Sequence, residues 1–267
     1  MTTTYTLVAD ERQHARAVRN ALPDEMQRAV IQGSELARAR RGRLREEPVA
    51  TSVEALDHLL AGGLPGGSLV ELVGRGSCGR FAALLAALKT ITDTGEAVAL
   101  VDQGGQLDPQ SAAALGLDLE RLLWLRPEVL SDTLAAAELL VNTGFPLVAV
   151  DLGLPPVRGR APLAAWLRLA RGSIAHRAVV LVGSPYRLSG CAAAAVVTAG
   201  WGRGRWSGAP GTPRLLQGLV SQLEVARRRG RRPHESAPAF FTLPEVVTEP
   251  VTEERTQPKE VRHVEAL

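Results

Sequence analysis

The chain has 267 residues, of which 45% are hydrophobic and 22% charged, so it carries enough apolar material for one large packed domain with extensions and is not a disordered chain. Its 31 basic and 28 acidic residues nearly cancel, its two cysteines make neither a disulfide framework nor a zinc site, and its longest apolar runs are interrupted by Glu138 and Asn142 or stop at Arg203, short of a membrane span. The first residues lack a basic stretch followed by an apolar one, so no secretory leader is expected, and a cytoplasmic location is. All but Lys89 and Lys259 of the basic residues are arginine, a bias that codon usage in a GC-rich genome explains as readily as a nucleic-acid ligand does.

Residues 1–47 form the first unit, an N-terminal helical arm. Leu22, Met26, Ala29, Val30 and Leu36 recur near helical spacing, and the arm ends in a basic run from Arg38 to Arg45. From 48 onward short apolar runs at 68–73, 97–102, 122–125, 147–151 and 178–183 alternate with helical patterns at 81–94, 111–115, 130–143 and 162–174. Runs this apolar suit strands buried on both faces, and their alternation with helices predicts βαβ crossovers and a mostly parallel sheet.

Beyond residue 190 the pattern changes. An Ala/Val-rich stretch ends at Trp201, residues 202–213 are rich in Gly and Pro and read as turns, and 215–229 alternate in part. Antiparallel strands that extend the sheet are expected there, so the core is placed at 48–243. Residues 244–267 hold six Glu against Arg255, Lys259 and Arg262 and read as a flexible acidic tail.

The segment from Gly74 to Phe81 carries the functional argument. It follows an apolar strand, precedes a helix and has the glycine spacing of a P-loop, in which backbone N–H groups turn inward around a phosphate at a helix N-terminus. Arg80 stands where a lysine would reach the β- and γ-phosphates, and Phe81 stands where a hydroxyl would hold Mg²⁺.

Around this loop the chain resembles the core ATPase domain of the RecA family. Residues 51–57 and 62–74 are similar to the entry of that domain, Asp102-Gln-Gly-Gly-Gln-Leu-Asp108-Pro109 to the end of its next strand, 116–123 to the following turn and Leu147–Asp151 to its Walker B strand. The resemblance spans about residues 49–230. It implies a P-loop core of α/β class, and it places the catalytic glutamate that orients water on Gly104, with only Asp151 keeping its type. Serine is replaced by Leu152 after that aspartate, and the glutamine switch falls near Pro185.

Gly74, Gly79, Arg80, Phe81, Gly104 and Asp151 thus outline a degenerate nucleotide site. Three functional elements are replaced together, and losing one such element costs about 10²–10³ in rate, so no turnover, no catalytic residue, no cofactor and no metal are expected. Nucleotide binding without hydrolysis remains open, because an arginine fork can pair with phosphate.

A broken P-loop on such a core resembles the ImuA group of RecA-related, SulA-like proteins. That resemblance implies a non-catalytic accessory role in SOS mutagenesis and translesion synthesis, with ImuB, an error-prone C-family DNA polymerase, RecA and single-stranded or damaged DNA as partners. The alternative is an active RecA-family ATPase or recombinase.

Eight arginines against Glu224 between 203 and 232 form the second candidate site: Arg203, Arg205, Arg214, Arg227, Arg228, Arg229, Arg231 and Arg232, with Trp206 beside them to stack on bases. They would bind DNA or an acidic partner. Trp124 and Trp166 are expected in the core, and Gln222-Leu223 in a strand.

Overall fold

The computed structural model describes residues 48–209, 211–228 and 235–243. The expected N-terminal arm and acidic tail, with Arg229, Arg231 and Arg232, lie outside the described residues.

The chain enters through a backbone bridge between Val49 and Leu64 that brackets α1 (Glu54–Leu59). Then follow β1 (Leu69–Val73), α2 (Arg80–Thr92), β2 (Val98–Asp102), α3 (Pro109–Ala114), a 3₁₀ turn, β3 (Leu122–Leu125), α4 (Leu130–Thr143), β4 (Leu147–Asp151), α5 (Leu163–His176) and β5 (Val179–Ser184). The remainder is strand: β6 (Ala195–Ala199), β7 (Arg203–Ser207), β8 (Leu215–Arg228) and β9 (Ser236–Thr242). The α/β expectation holds. Among the described residues the nine strands make one sheet in the order β3-β2-β4-β5-β1-β6-β8-β7, with β9 paired to β8. Every pairing from β3 to β6 is parallel, and β8 runs antiparallel to β6, β7 and β9.

Alternate residues of each parallel strand point to opposite faces, so both faces need cover. On one face Val70, Leu72, Leu100, Ala149 and Leu181 pack against α1 and α2 through Leu56, Leu59, Leu84 and Leu88. On the other, Leu69, Val101, Val148, Val150 and Val180 meet α4 and α5 through Leu134, Val141, Trp166 and Leu169. Trp166 is fully buried as expected, whereas Trp124 is only partly so and donates its indole N–H to Asp102. Leu223 is buried in β8.

The region 202–213 differs from its reading as turns, because β7 forms inside it. Glycine and arginine carry little strand propensity, but residues 203–207 lie antiparallel to 215–220, and tertiary pairing overrides local preference. The pairing slips between Arg205 and Trp206, a bulge at the end of the sheet. β6 and β7 follow one another along one edge of β8 while β9 takes the other.

Candidate functional site

The C-terminal ends of β1, β2, β4 and β5 converge where open parallel sheets bind ligands. The loop 74–79 leaves β1 and turns into α2, whose N-cap Gly79 has φ of +80°, a left-handed conformation that glycine adopts without strain. Two contacts also fix glycine here. A Cβ on Gly79 would overlap the Phe241 ring of β9, standing 2.9 Å from its Cζ, and a Cβ on Gly74 would stand 2.5 Å from the Cys78 sulfur. The loop is tied on its outer side as well, where Gly202 donates its N–H to the Ser77 carbonyl at 3.1 Å.

Arg80 is 5% exposed and does not reach outward. Its Nη1 donates to the Gly74 carbonyl of its own loop, and its Nη2 donates to the Gly153 carbonyl at 2.7 Å and to Asp151 Oδ1 at 3.3 Å. The guanidinium thus lies inside the turn, between the loop and the end of β4. Its Nε, also buried, has no partner. Phe81 packs partly buried against the apolar cluster on the α1–α2 face.

Asp151 is fully buried and paired in register with Asp102 across β4 and β2. Burial pushes the Asp151 carboxyl up to about 6; Arg80 opposes that shift and Asp102 adds to it. Its Oδ2 accepts the Gly153 N–H at 3.1 Å. Asp102 is engaged elsewhere: it accepts the N–H groups of Gln106 and Leu107 at 3.0 and 3.1 Å and the Trp124 indole at 3.2 Å. It thereby folds the turn that carries Gly104.

At Gly104 the backbone runs directly against β4. A Cβ there would overlap Asp151 Oδ2 and stand 2.5 Å from Gly153 Cα and 2.8 Å from Gly153 N. The position is closed to any side chain in this arrangement. Open space lies beside it instead. A cleft of about 800 Å³ runs along residues 102–106, 126–128 and 152–158, and a smaller one of about 280 Å³ lies between the loop and Trp201.

The second candidate site divides. Arg203, Arg205, Trp206 and Arg214 are exposed on the β7–β8 hairpin, and the Arg205 guanidinium sits 5.1 Å above the Phe240 ring. Arg227 and Arg228 are turned inward. Arg227 donates to the carbonyls of Gly190 and Cys191, and Arg228 donates to those of Leu59 and Leu60 at the end of α1. They fasten β8 to its neighbours, which leaves the hairpin as the outward-facing part of the described cluster.

Two residues that matter here lie outside the sequence motifs. Glu71, in the middle of β1 and fully buried, accepts the Ser184 hydroxyl at 2.8 Å, the N–H groups of Leu188 and Ser189, and the Ser189 hydroxyl. It anchors the segment after β5 beneath the site. Phe241 lies 162 residues beyond Gly79 in sequence, and only the sheet order reveals their contact. An acidic residue in an apolar strand was the available hint for Glu71; Phe241 had none.

Comparison with known proteins agrees with this architecture. The model of the RecA N-terminal domain matches residues 16–154. Among curated relatives, RecA of Arthrospira platensis is 34% identical over 133 residues, which is 50% of this chain and 35% of that protein. RecA of Nostoc punctiforme is 33% identical over 129 residues, covering 48% of this chain and 35% of its own length. The chain therefore matches little more than a third of each relative. Among solved structures, the RadB recombinase superposes with a TM-score of 0.52 at 20% identity, covering 71% of this chain and 94% of that one, a likeness of fold. Among the described residues no helix is long and apolar enough to cross a membrane.

Proposed function

Because the chain belongs to the family defined by the RecA N-terminal domain, we propose that it uses that fold as a non-catalytic accessory protein in DNA-damage-induced mutagenesis. In this reading it acts with ImuB and an error-prone C-family polymerase in translesion synthesis, and it engages RecA-type surfaces or DNA without turning over ATP. The observation that carries the reading is the filled loop. The Arg80 guanidinium is bonded to Gly74, Gly153 and Asp151, so the fork that would grip phosphate is already engaged. A magnesium–nucleotide does not fit this donor set. Phe81 offers no hydroxyl, Asp151 faces a guanidinium, and the backbone at Gly104 abuts β4, which leaves no room for a water-orienting carboxylate.

The competing reading, an active RecA-family ATPase, is favoured by Asp151 at the end of β4 and by the retained glycine spacing of the loop. The accessory reading is tested by primer extension across a damaged template with the ImuB-type protein and the C-family polymerase, with and without the full chain. Bypass that rises on adding the chain, and rises equally with Asp151→Asn, is the expected result. Bypass indifferent to the chain would sink the reading.

A further inference from the structure

The β7–β8–β9 end of the sheet is a surface of a different kind. Its inner side is core: Leu219, Leu223, Val225, Ala239 and Phe241 pack towards α1 and α2. On the other side Arg203, Val220 and Phe240 share one rung, and Arg205, Gly218 and Thr242 share the next. Residues directly opposite in antiparallel strands share a face, so both arginines and the Phe240 ring stand together. Gly218 makes room for that ring, since a Cβ there would lie 3.0 Å from Phe240 Cε2. At the end of the same sheet Leu215 and Leu243 are 72% and 46% exposed, while Trp206 turns to the inner side, where a Cβ on Gly204 would stand 2.8 Å from its Nε1. Large side chains with an apolar body and a guanidinium rim, clustered on a rigid element, are the composition of a protein interface.

Charge indicates what would cover it. Residues 202–220, which include β7 and the outer part of β8, hold Arg203, Arg205 and Arg214 and no Asp or Glu. Nucleic acid is the weaker fit. Tracking a phosphate backbone takes a row of cations, whereas among the described residues Arg227 and Arg228 donate to main-chain carbonyls and the hairpin holds Arg203, Arg205 and Arg214. Exposed leucines gain little from phosphates but much from an apolar side chain.

We propose that this sheet end is a docking surface for an acidic segment of a partner protein that carries an aromatic or aliphatic anchor. The carboxylates pair with Arg203 and Arg205, and the anchor lies against Phe240. The inference deepens the accessory reading by giving the chemistry of the partner, and it can fail while that reading stands.

The test is selection of a displayed random twelve-residue peptide library on the immobilised full chain, followed by fluorescence anisotropy of the enriched peptides. Peptides that combine Asp or Glu with Trp, Phe or Leu should emerge. Their affinity should fall at least tenfold with Arg205→Glu and with Phe240→Ala, and stay within twofold with Arg158→Ala, a control outside the sheet end. All three side chains are on the surface, and unchanged melting of each variant checks the fold. Failure to enrich such peptides, or enriched peptides indifferent to the two substitutions, would overturn the proposal. So would tighter binding of a labelled (dT)₂₀ strand that the same two substitutions abolish, which would make nucleic acid the occupant. Lesion bypass that needs the chain but is unaffected by Arg205→Glu would leave the accessory role intact and remove this surface from it.

Discussion

Two short segments of this chain are written in nearly the same letters. Gly74-Arg-Gly-Ser-Cys-Gly-Arg80 leaves a central strand, and Gly202-Arg-Gly-Arg-Trp-Ser-Gly208 forms an outer one. In the first, Arg80 is buried and bonded to two carbonyls and a carboxylate, and the glycines are fixed by Phe241 and Cys78. In the second, Arg203 and Arg205 are exposed and Gly204 makes room for a Trp206 ring that is itself half exposed. Position in the sheet makes the difference. A loop at the centre is surrounded by the ends of four strands and meets acceptors on several sides, whereas a strand at the edge meets neighbours on one side only. An arginine is therefore a structural tie in one place and a solvent-facing group in the other.

The largest way to break that contrast is Arg80→Ala. It leaves Asp151 buried without its cation and the Gly74 and Gly153 carbonyls without that donor. Removing one partner of a buried pair costs about 3–5 kcal/mol, and the value should lie toward the lower end because Asp151 can take up a proton. Urea unfolding should show a lower midpoint with an unchanged slope. Next comes Gly104→Ala. The added Cβ overlaps Asp151 and Gly153 backbone atoms, and overpacking of this kind costs about 1–3 kcal/mol; a variant as stable as the parent would show that the turn at 104 yields easily.

The pH dependence has a definite sign. Asp151 binds its proton more tightly in the folded chain than in the unfolded one, with a value of about 6 against 3.8. Its contribution to stability is complete below the unfolded value and is lost as pH rises through about 6, on the order of 3 kcal/mol in all. Asp151→Asn should flatten that limb of the stability curve. At the other end of the comparison, Trp206→Ala should move the unfolding free energy by less than about 0.5 kcal/mol, because its ring is half exposed and clear of the core. A larger loss would place Trp206 with Arg80 among the groups that hold the fold together.

The parallel half of the molecule was legible because buried parallel strands read as unbroken apolar runs and their helices as periodic ones. The run at 147–151 is β4 itself, and the pattern at 130–143 is α4. The strand β7 was hidden because its residues 203–207 hold glycine and arginine, and only pairing with β8 makes them a strand. For the site, sequence could show that Arg80, Phe81 and Gly104 depart from the pattern of a working P-loop. It could not show that Arg80 folds back on its own loop, that the backbone of Gly104 touches β4, or that Phe241 covers Gly79. Each of these depends on atoms brought together across the sheet. The arginine cluster was legible as charge but not as geometry, since Arg214 and Arg227 look alike in sequence, while one is exposed and the other is bonded to the carbonyl of Gly190.

In the accessory reading the loop of this RecA-family chain, filled by its own side chains, does not turn over nucleotide. Release of phosphate from ATP by the full chain, with Mg²⁺ and single-stranded DNA present, tests it most directly. The account predicts release at the rate of the buffer alone. Steady turnover that DNA stimulates, and that Asp151→Asn abolishes in a variant with a normal melting transition, would contradict it.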